Sequence, residues 1–486
     1  MGGLEWARRV GKSVHSADSK GVWSGLLCNP EATLCTASII YSCRRCSVDH
    51  EKEDEGVRHL DVRNWMGGSC LALLAVVNSL GAQQVVELTG EDRALSSDHE
   101  EVYRVGSFDG DAWETFGEIA GTAFDANGNL YIFDRQASRI VVVDAAGNFV
   151  REFGSPGEGP GELRMALGFT VMLDGTAVVL DVGHQSYQLF GADGEFERMV
   201  GMGGDGMMQF GWMAPDPSGM AIISGGGGGV IAMEAGRGAR APAQPAARPI
   251  ERISLAGGDV ESETIAEGWR PPRGERPQTL EGGGMRFSMA MAGPRTFEPD
   301  LLVGALPNGG VTFSDSSAYA VKIAGPDGGV SRILQRPFRP LAVTDRIEEA
   351  EKERRLEEMA AGEGPQMRMR MVGPGGGDGQ EVNQDAIKEM MQGQIEQMQF
   401  FPEVPVIRGL QTTRGGRIWV QRRGEQPVSD GPIDVLNTDG QYVGSFAAGE
   451  MEMPSSFGPD GLTACIETDE FDVPTIVVRK LPSAVN

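Results

Sequence analysis

The sequence predicts an all-β protein, a six-bladed β-propeller with a short inserted helical lid on one face. Between residues 121 and 154 the chain reads as short alternating strands separated by glycine turns. Three positions recur with one spacing of 47 residues: Gly128 with Gly175, Asp134 with Asp181, and Gly147 with Gly194. A repeat of this size built from four strands is typical of a propeller blade. The 70 glycines favour the same class, because many short strands need many turns.

The charge of the chain excludes one class of partner. The 486 residues carry a formal net charge of -26, and the isoelectric point is near 4.7. Nucleic acids are bound by basic faces, so a nucleic-acid-binding role is not expected. An acidic surface mainly favours solubility, so we infer no further role from the charge.

Residues 66–82 resemble a secretory signal peptide. An apolar run at 70–80 follows Arg63, and the small residue Ala82 precedes a plausible cleavage point. The run is too short to span a bilayer comfortably, so no transmembrane segment is expected. A buried apolar helix is the alternative interpretation. With cleavage, the mature protein is periplasmic or extracellular.

Residues 1–65 precede this segment, although signal peptides begin near the initiator methionine. We interpret them as a non-native upstream extension, or as disordered, with Met66 as the true start. A zinc knuckle is the competing interpretation; its ligands would be Cys28, Cys35, Cys43, Cys46 and His50. One half has C-x2-C spacing, but the C-x6-C half does not fit zinc. Peptide mapping of the expressed protein distinguishes the two.

The remaining chain divides into a leader at 83–100 and a propeller at 101–482. Blades one and two, near 119–153 and 166–200, have the clearest strands and turns. Blade six is one strand short at the end of the chain, and the strand at 102–108 has no hairpin partner. We therefore expect 102–108 to complete blade six, which closes the ring and removes exposed sheet edges. Cys465 lies in an alternating strand and is expected to be a buried thiol.

Three insertions interrupt the blade pattern at 225–249, 267–299 and 335–403. Each follows a second strand or joins two blades, so all three belong to one face. Binding residues commonly lie on loops of a rigid scaffold, which makes this insertion-bearing face the expected functional mouth. Residues 344–361 and 385–400 predict two helices of a partial lid, with disorder as the alternative. Methionines 367, 369 and 371 could suit Cu(I), but adaptable lid packing is favoured.

The stretch FDANGNLYIFDRQASRIVVVDAAGNFVREFGSPGEGPGEL in blade one resembles an NHL-type repeat, and the whole chain resembles a bacterial six-bladed β-propeller protein. The resemblance implies a fold more firmly than an activity. Propeller lyases that are similar at the repeat level use several histidines around zinc. His184 is the one histidine inside the propeller, so this chain does not supply that set.

The insertion-bearing face also gathers the candidate binding residues. His184 lies in a loop of blade two, and the arginines that could form a basic rim are Arg135, Arg139, Arg164, Arg270 and Arg273. Such a rim would bind a protein, a peptide or a small anionic ligand at the channel mouth. Solvated surface charges are the alternative interpretation. We expect a monomer.

Calcium is the one cofactor that the resemblance suggests. Lactonase-type propellers bind calcium through side chains lining the channel, and the candidates here are Asp134, Asp181 and Asp315. Calcium needs about six to eight oxygen ligands around one point. An aspartate at a strand end also commonly accepts hydrogen bonds from its own turn, and recurrence with the blade favours that structural role.

The sequence therefore favours a binding scaffold that acts through its insertion-bearing face without catalysis and without a cofactor. A calcium-dependent hydrolase of lactonase or esterase type is the alternative. The propeller contains no G-x-S-x-G or H-E-x-x-H pattern. A single histidine supplies one possible base and no supporting nucleophile elbow.

Overall fold

The structure is a computed structural model that describes residues 83–97, 99–202, 207–209, 211–225, 230–232, 246–272, 280–282, 285–287, 295–361, 384–468 and 473–486. These residues all belong to one compact unit, Val77–Asn486. Several sequence predictions lie outside them: the extension at 1–65 with its cysteines, the signal peptide at 66–82, Arg273 and the methionines at 367–371.

The chain enters through two strands, β1 (Gln84–Glu87) and β2 (Glu100–Val105), and a short 3-10 turn at Ala112–Glu114. Blade one consists of β3 (Ile119–Phe124), β4 (Leu130–Asp134), β5 (Arg139–Val143) and β6 (Phe149–Phe153). Blade two consists of β7 (Ala166–Val171), β8 (Ala177–Asp181), β9 (Ser186–Phe190) and β10 (Phe196–Gly201). Both are antiparallel meanders with the first strand innermost. The turn glycines Gly128 and Gly175 have φ of 83° and 93°, a conformation that favours glycine.

Blade three contains its predicted insertion. Its four strands are β12 (Trp212–Pro215), β13 (Ala221–Gly225), β15 (Ala247–Ser254) and β16 (Glu261–Trp269). The short strands β11 (Met207–Gln209) and β14 (Val230–Ala232) pair with each other beside it. A second small pair, β17 (Leu280–Gly282) and β18 (Met285–Phe287), follows before blade four.

Blade four consists of β19 (Leu302–Ala305), β20 (Val311–Ser314), β21 (Ala320–Ala324) and β22 (Val330–Gln335). The large insertion then starts at β23 (Leu341–Ala342), continues through α1 (Asp345–Ala361) and α2 (Gln384–Glu396), and returns at β24 (Glu403–Val404). The predicted second helix was placed at 385–400, but α2 ends earlier. Residues 399–401 instead bond to the backbone of Thr296, with Phe400 bridging it in parallel.

Blade five consists of β25 (Ile407–Thr412), β26 (Arg417–Arg423), β27 (Asp430–Asn437) and β28 (Tyr442–Phe446). Blade six contains β29 (Ser456–Phe457), β30 (Leu462–Thr468) and β31 (Pro474–Lys480), with a 3-10 turn at Pro459–Gly461. The fourth strand of blade six is β2, which pairs antiparallel with β31. The predicted closure of the ring by an N-terminal strand is confirmed.

The hydrophobic core is divided into six clusters, one between each pair of neighbouring blades. The cluster between blades six and one, for example, packs Ile476 and Val478 against Leu130 and Ile132. The middle strands of the blades are buried on both faces, which explains their uninterrupted apolar runs. Cys465 is buried as a free thiol in this core, as predicted.

The leader is docked on the propeller, although no local pattern in the sequence indicates this contact. Strand β1 adds a fifth, parallel strand to blade four, and Ala94 bridges Ser445 in blade five. Asp92 lies between two arginines, at 2.9 Å from Arg336 and 2.5 Å from Arg422. These contacts join residues about 250 to 350 positions apart, so no local periodicity could reveal them.

Candidate functional site

The recurring aspartates serve the architecture of the blades. Asp134 accepts hydrogen bonds from the N–H groups of Gly117 and Glu118 at 3.3 and 3.2 Å, in the segment that enters blade one. Asp181 accepts them from Arg164 and Met165 at 2.8 and 3.0 Å, in the same position of blade two. Each carboxylate therefore holds the incoming chain against the end of a second strand.

Asp315 in blade four has a related environment. It is fully buried, accepts a hydrogen bond from the Trp269 N–H at 2.6 Å, and pairs with Lys322 at 2.6 Å. Its partners thus come from blades three and four. Among the described residues, no group of three or more His, Cys, Asp or Glu side chains is arranged to hold a metal ion.

His184 belongs to the same network as Asp181. Its Nδ1 lies 2.8 Å from the Asp181 carboxylate, and Gln188 donates to that carboxylate at 3.1 Å. The hydrogen bond to Asp181 raises the pKa of His184, against an opposing effect of burial. Burial raises the pKa of Asp181, but hydrogen bonds from Arg164, His184 and Met165 outweigh it and leave that pKa below its usual value.

We expect the stability of the protein to depend on the protonation of His184. Because its pKa is higher in the folded than in the unfolded state, its stabilising contribution is complete below the unfolded value of about 6.5 and is lost as pH rises through the folded value. The melting temperature of His184→Gln should therefore fall further below wild type at about pH 5.5 than at about pH 8.5. If the melting temperatures of wild type and His184→Gln differed by the same amount at both pH values, this role of His184 would be contradicted.

Three arginines of the predicted rim, all in blades one and two, pair with nearby carboxylates. Arg135 pairs with Glu118, Arg139 pairs with Glu152 at 2.8 Å, and Arg164 lies 3.5 Å from Glu158. Arg139 also lies 3.5 Å from Asp134. Arg270 follows β16 directly. Of the predicted set, Arg164 and His184 are brought together around Asp181, whereas Arg135 and Arg139 belong to blade one.

A cavity on the insertion-bearing face lies beneath α1. We call it the lid cavity; its volume is about 580 Å³. Its charged lining consists of Arg295, Glu298, Asp300, Glu351, Arg354, Arg355 and Arg408, and its apolar lining includes Phe297, Leu302, Val404, Ile407 and Val428. Blades four and five supply the floor through the first residues of β19 and β25. This is the predicted functional face, but none of these four arginines was among the predicted site residues.

The charges of the lid cavity are arranged as arginine–carboxylate pairs. Glu351, a buried residue of α1, lies 2.8 Å from both Arg354 and Arg355. Burial raises the pKa of Glu351, but the hydrogen bonds from these two arginines outweigh it and leave its pKa lowered. On the floor, Arg408 pairs at 2.9 Å with Asp430, a side chain that is 70% exposed. The cavity thus offers both signs of charge beside apolar walls.

The lid is fixed at two places. Strands β23 and β24 pair, which brings the two ends of the insertion together. Near the other edge, Arg295 lies over the ring of Phe401 at 4.8 Å and Lys352 of α1 lies over Phe400 at 5.8 Å. Cation–π contacts of this kind stabilise by roughly 0.5–1 kcal/mol at exposed sites. The roof of the cavity is therefore held by these contacts and by the backbone hydrogen bonds of Thr296 with Gln399 and Phe401, whereas its floor belongs to the blades.

A second cavity lies in the central channel, at the opposite end from the insertions. We call it the channel cavity; its volume is about 300 Å³. It is lined by the last residues of the innermost strands and by the turns after them, with contributions from all six blades. No site at this end of the channel was predicted from the sequence.

Comparison with known proteins adds no family name. No protein-family profile and no curated protein sequence matches the chain. Solved structures similar to it include a protein from Bacteroides fragilis, at 10% identity and a TM-score of 0.43, covering 82% of this chain and 100% of that one. A member of the DUF4221 family from Bacteroides vulgatus shows 11% identity and a TM-score of 0.42, covering 79% and 98%. Virginiamycin B lyase from Staphylococcus aureus shows 11% identity and a TM-score of 0.32, covering 74% and 80%. We draw no functional argument from similarities this distant.

The class that the structure defines is a six-bladed β-propeller with a helical lid. Over the described ranges, none of the helices combines the length and the apolar character needed to cross a bilayer.

Proposed function

We propose that this propeller is a binding protein that takes a peptide segment, one carrying an acidic side chain or terminal carboxylate, into the lid cavity. The observation that carries the proposal is the cavity of about 580 Å³, in which arginine–carboxylate pairs stand beside apolar walls. A volume of this size falls within the range of roughly 300–1,000 Å³ of known ligand sites.

The chemistry of the lining favours a peptide over a simple anion. The arginines of the cavity already have carboxylate partners, so a bare anion would compete with those partners for the guanidinium groups. A peptide can exchange one such pair for its own carboxylate, which an arginine fork binds in a bidentate manner. Its apolar side chains can at the same time cover Ile407 and Val428.

Arg408 is the arginine best placed to make this exchange. It lies on β25 of the rigid blade, and its partner Asp430 is largely exposed, so this pair contributes little stability by itself. A peptide carboxylate that binds Arg408 would replace the Arg408–Asp430 pair, which the surrounding water already weakens.

The test uses a random peptide library selected on the wild-type protein. Peptides that are enriched should contain Asp or Glu and should bind Arg408→Gln at least about tenfold more weakly than wild type. Arg346→Gln is the matched control, because Arg346 is an exposed arginine of α1 outside the cavity lining. Peptides that bind the two variants equally, or no enrichment at all, would contradict the proposal.

Because the two ends of the insertion pair with each other, excision of the lid is expected to leave the ring of blades closed. Val343 donates its N–H to the carbonyl of Pro402, directly beyond the paired strands β23 and β24. Replacing residues 344–401 by an Asn-Gly turn should therefore close a short hairpin. Selected peptides should lose binding to this variant while its blades remain folded by circular dichroism.

We also propose that the protein acts in the periplasm or outside the cell, after removal of residues 66–82. The support is the apolar run and Ala82 in the sequence. A mature N-terminus at Gln83 in the secreted fraction is the expected result of N-terminal peptide mapping, and an N-terminus upstream of 66 would oppose it. The calcium-dependent hydrolase remains a separate proposal that no described contact favours, because the oxygens of Asp134 and Asp181 already accept backbone hydrogen bonds.

A further inference from the structure

The channel cavity contains a positive charge that has no carboxylate at contact distance among the described residues. Arg414 lies in the turn between β25 and β26 of blade five and lines this cavity. Its Nη2 donates a hydrogen bond to the carbonyl oxygen of Phe124 in blade one. Blade six stands between these two blades in the ring, so the side chain of Arg414 reaches across part of the channel end.

The remaining donors of Arg414 have no partner in the described part of the chain. The bond to Phe124 uses one of the five N–H groups of a guanidinium, and no ion pair involves Arg414 among the described residues. Desolvation lowers the pKa of Arg414, with a smaller opposing effect of Asp125. Arg414 is partly buried and therefore partly desolvated, and a desolvated charge without a carboxylate partner favours an incoming anion.

Asp125 does not act as the missing partner, because both of its carboxylate oxygens are already used. Oδ1 accepts hydrogen bonds from the N–H groups of Asn127 and Asn129 at 2.8 and 2.9 Å, and Oδ2 accepts one from the Asn129 side chain at 2.7 Å. These bonds form the first turn of blade one. The carboxylate is therefore committed to its turn and acts on Arg414 only at longer range.

The rest of the cavity supplies hydroxyl groups and an apolar surface. The Thr122 hydroxyl lies 2.7 Å from both the Ser455 and the Ser456 hydroxyl, so blades one and six share a small polar cluster. The apolar lining comes from Phe124, Leu173, Trp212, Met213, Pro307 and Phe457. The cavity thus combines one cation, a small cluster of hydroxyl groups bonded to one another, and a mainly apolar wall.

We propose that the channel cavity binds a small organic monocarboxylate, with its carboxylate on Arg414 and its apolar body against the wall that includes Trp212 and Met213. The volume of about 300 Å³ suits a compact molecule, such as an aryl or short alkyl carboxylic acid. The single cation matches a single negative charge, and the guanidinium fork can hold both oxygens of one carboxylate. This site is independent of the lid cavity, which lies at the other end of the channel and is lined by different residues.

The test measures thermal stabilisation and calorimetric binding of the full chain with benzoate, 3-phenylpropionate and hexanoate. Their amides, benzamide, 3-phenylpropionamide and hexanamide, keep the shape and remove the charge. We expect at least one of the carboxylates to raise the melting temperature and to bind at least about tenfold more tightly than its amide. Arg414→Gln should weaken that binding at least about tenfold, and Arg414→Lys should retain part of it.

Arg417→Gln is the matched control, because Arg417 starts the next strand of the same blade and does not line the cavity. It should bind the carboxylates as wild type does. Three results would overturn the proposal: no carboxylate binds wild type, the carboxylates bind Arg414→Gln as tightly as Arg417→Gln, or sulfate stabilises the protein as strongly as the carboxylates. The lid-excised variant should keep this binding, so failure at the lid cavity and failure here are distinguishable.

Discussion

Replacing Asp434 by alanine is expected to lower the free energy of unfolding by about 3–5 kcal/mol. Its carboxylate lies 2.8 Å from Arg336 and 3.1 Å from Arg422, and it accepts a hydrogen bond from the Ser445 hydroxyl at 2.6 Å. The side chains of Asp434 and Arg336 have no exposed surface. Removing the carboxylate leaves two enclosed guanidinium groups with Asp92 as their remaining carboxylate partner, and an uncompensated buried charge is costly.

The loss should be measured by urea titration and compared with Asp430→Ala. Asp430 lies on the same strand, but its side chain is 70% exposed and pairs with a partly exposed arginine, so its loss should cost no more than about 1 kcal/mol. Similar losses in the two variants would show that burial does not control the strength of these pairs. Because Asp92 belongs to the leader, Asp434→Ala should also increase proteolysis between residues 83 and 97.

Replacing Asp181 by alanine is expected to cost about 3 kcal/mol of unfolding free energy. The fully buried carboxylate accepts hydrogen bonds from the N–H groups of Arg164, Met165 and Gly183, and it also holds His184 and Gln188. Each buried donor left without a partner costs roughly 1–3 kcal/mol, although a water molecule that enters and accepts the hydrogen bond recovers part of this loss. The segment that enters blade two should loosen first, which hydrogen exchange at Arg164 and Met165 would detect.

Asp193→Ala is the matched control, because Asp193 is an exposed aspartate in a turn of the same blade. It should change stability by about 0.5 kcal/mol or less. Adding calcium or a chelator should leave the difference between wild type and Asp181→Ala unchanged if the residue is architectural. A calcium-dependent rise in melting temperature that is seen in wild type and abolished in Asp181→Ala would instead favour the hydrolase alternative.

Much of the fold could be predicted because blade structure is encoded locally. Gly128 and Gly175 mark turns that need positive φ, and the apolar runs between them mark strands buried on both faces. The closing strand could be predicted by counting, since a blade with three strands leaves an edge open. The end of α2 was placed too late because the pairing of Phe400 with Thr296 is a long-range contact.

The candidate sites were harder to predict, for a reason that Arg408 and Arg414 illustrate. Both are ordinary arginines in blade five, with no motif around them. The role proposed for Arg414 depends on its hydrogen bond to the carbonyl of Phe124, which is 290 positions away. The role proposed for Arg408 depends on its position beneath a helix of an insertion. The arginines named from the sequence were chosen because they lie on the insertion-bearing face, and those in blades one and two pair with nearby carboxylates.

The sequence by itself determined the all-β class, the blade repeat, the closure of the ring and the face that carries the insertions. These properties follow from turn glycines and apolar periodicity, which act over a few neighbouring residues. The tertiary structure alone decided that Asp92 of the leader pairs with Arg336 and Arg422, and that a mixed-charge cavity lies beneath α1. It also decided that Arg414 faces the channel with no carboxylate of the described residues at contact distance. These features depend on which blades become neighbours when the ring closes. Ring closure brings together residues that lie far apart in the chain, so local sequence patterns do not reveal their contacts.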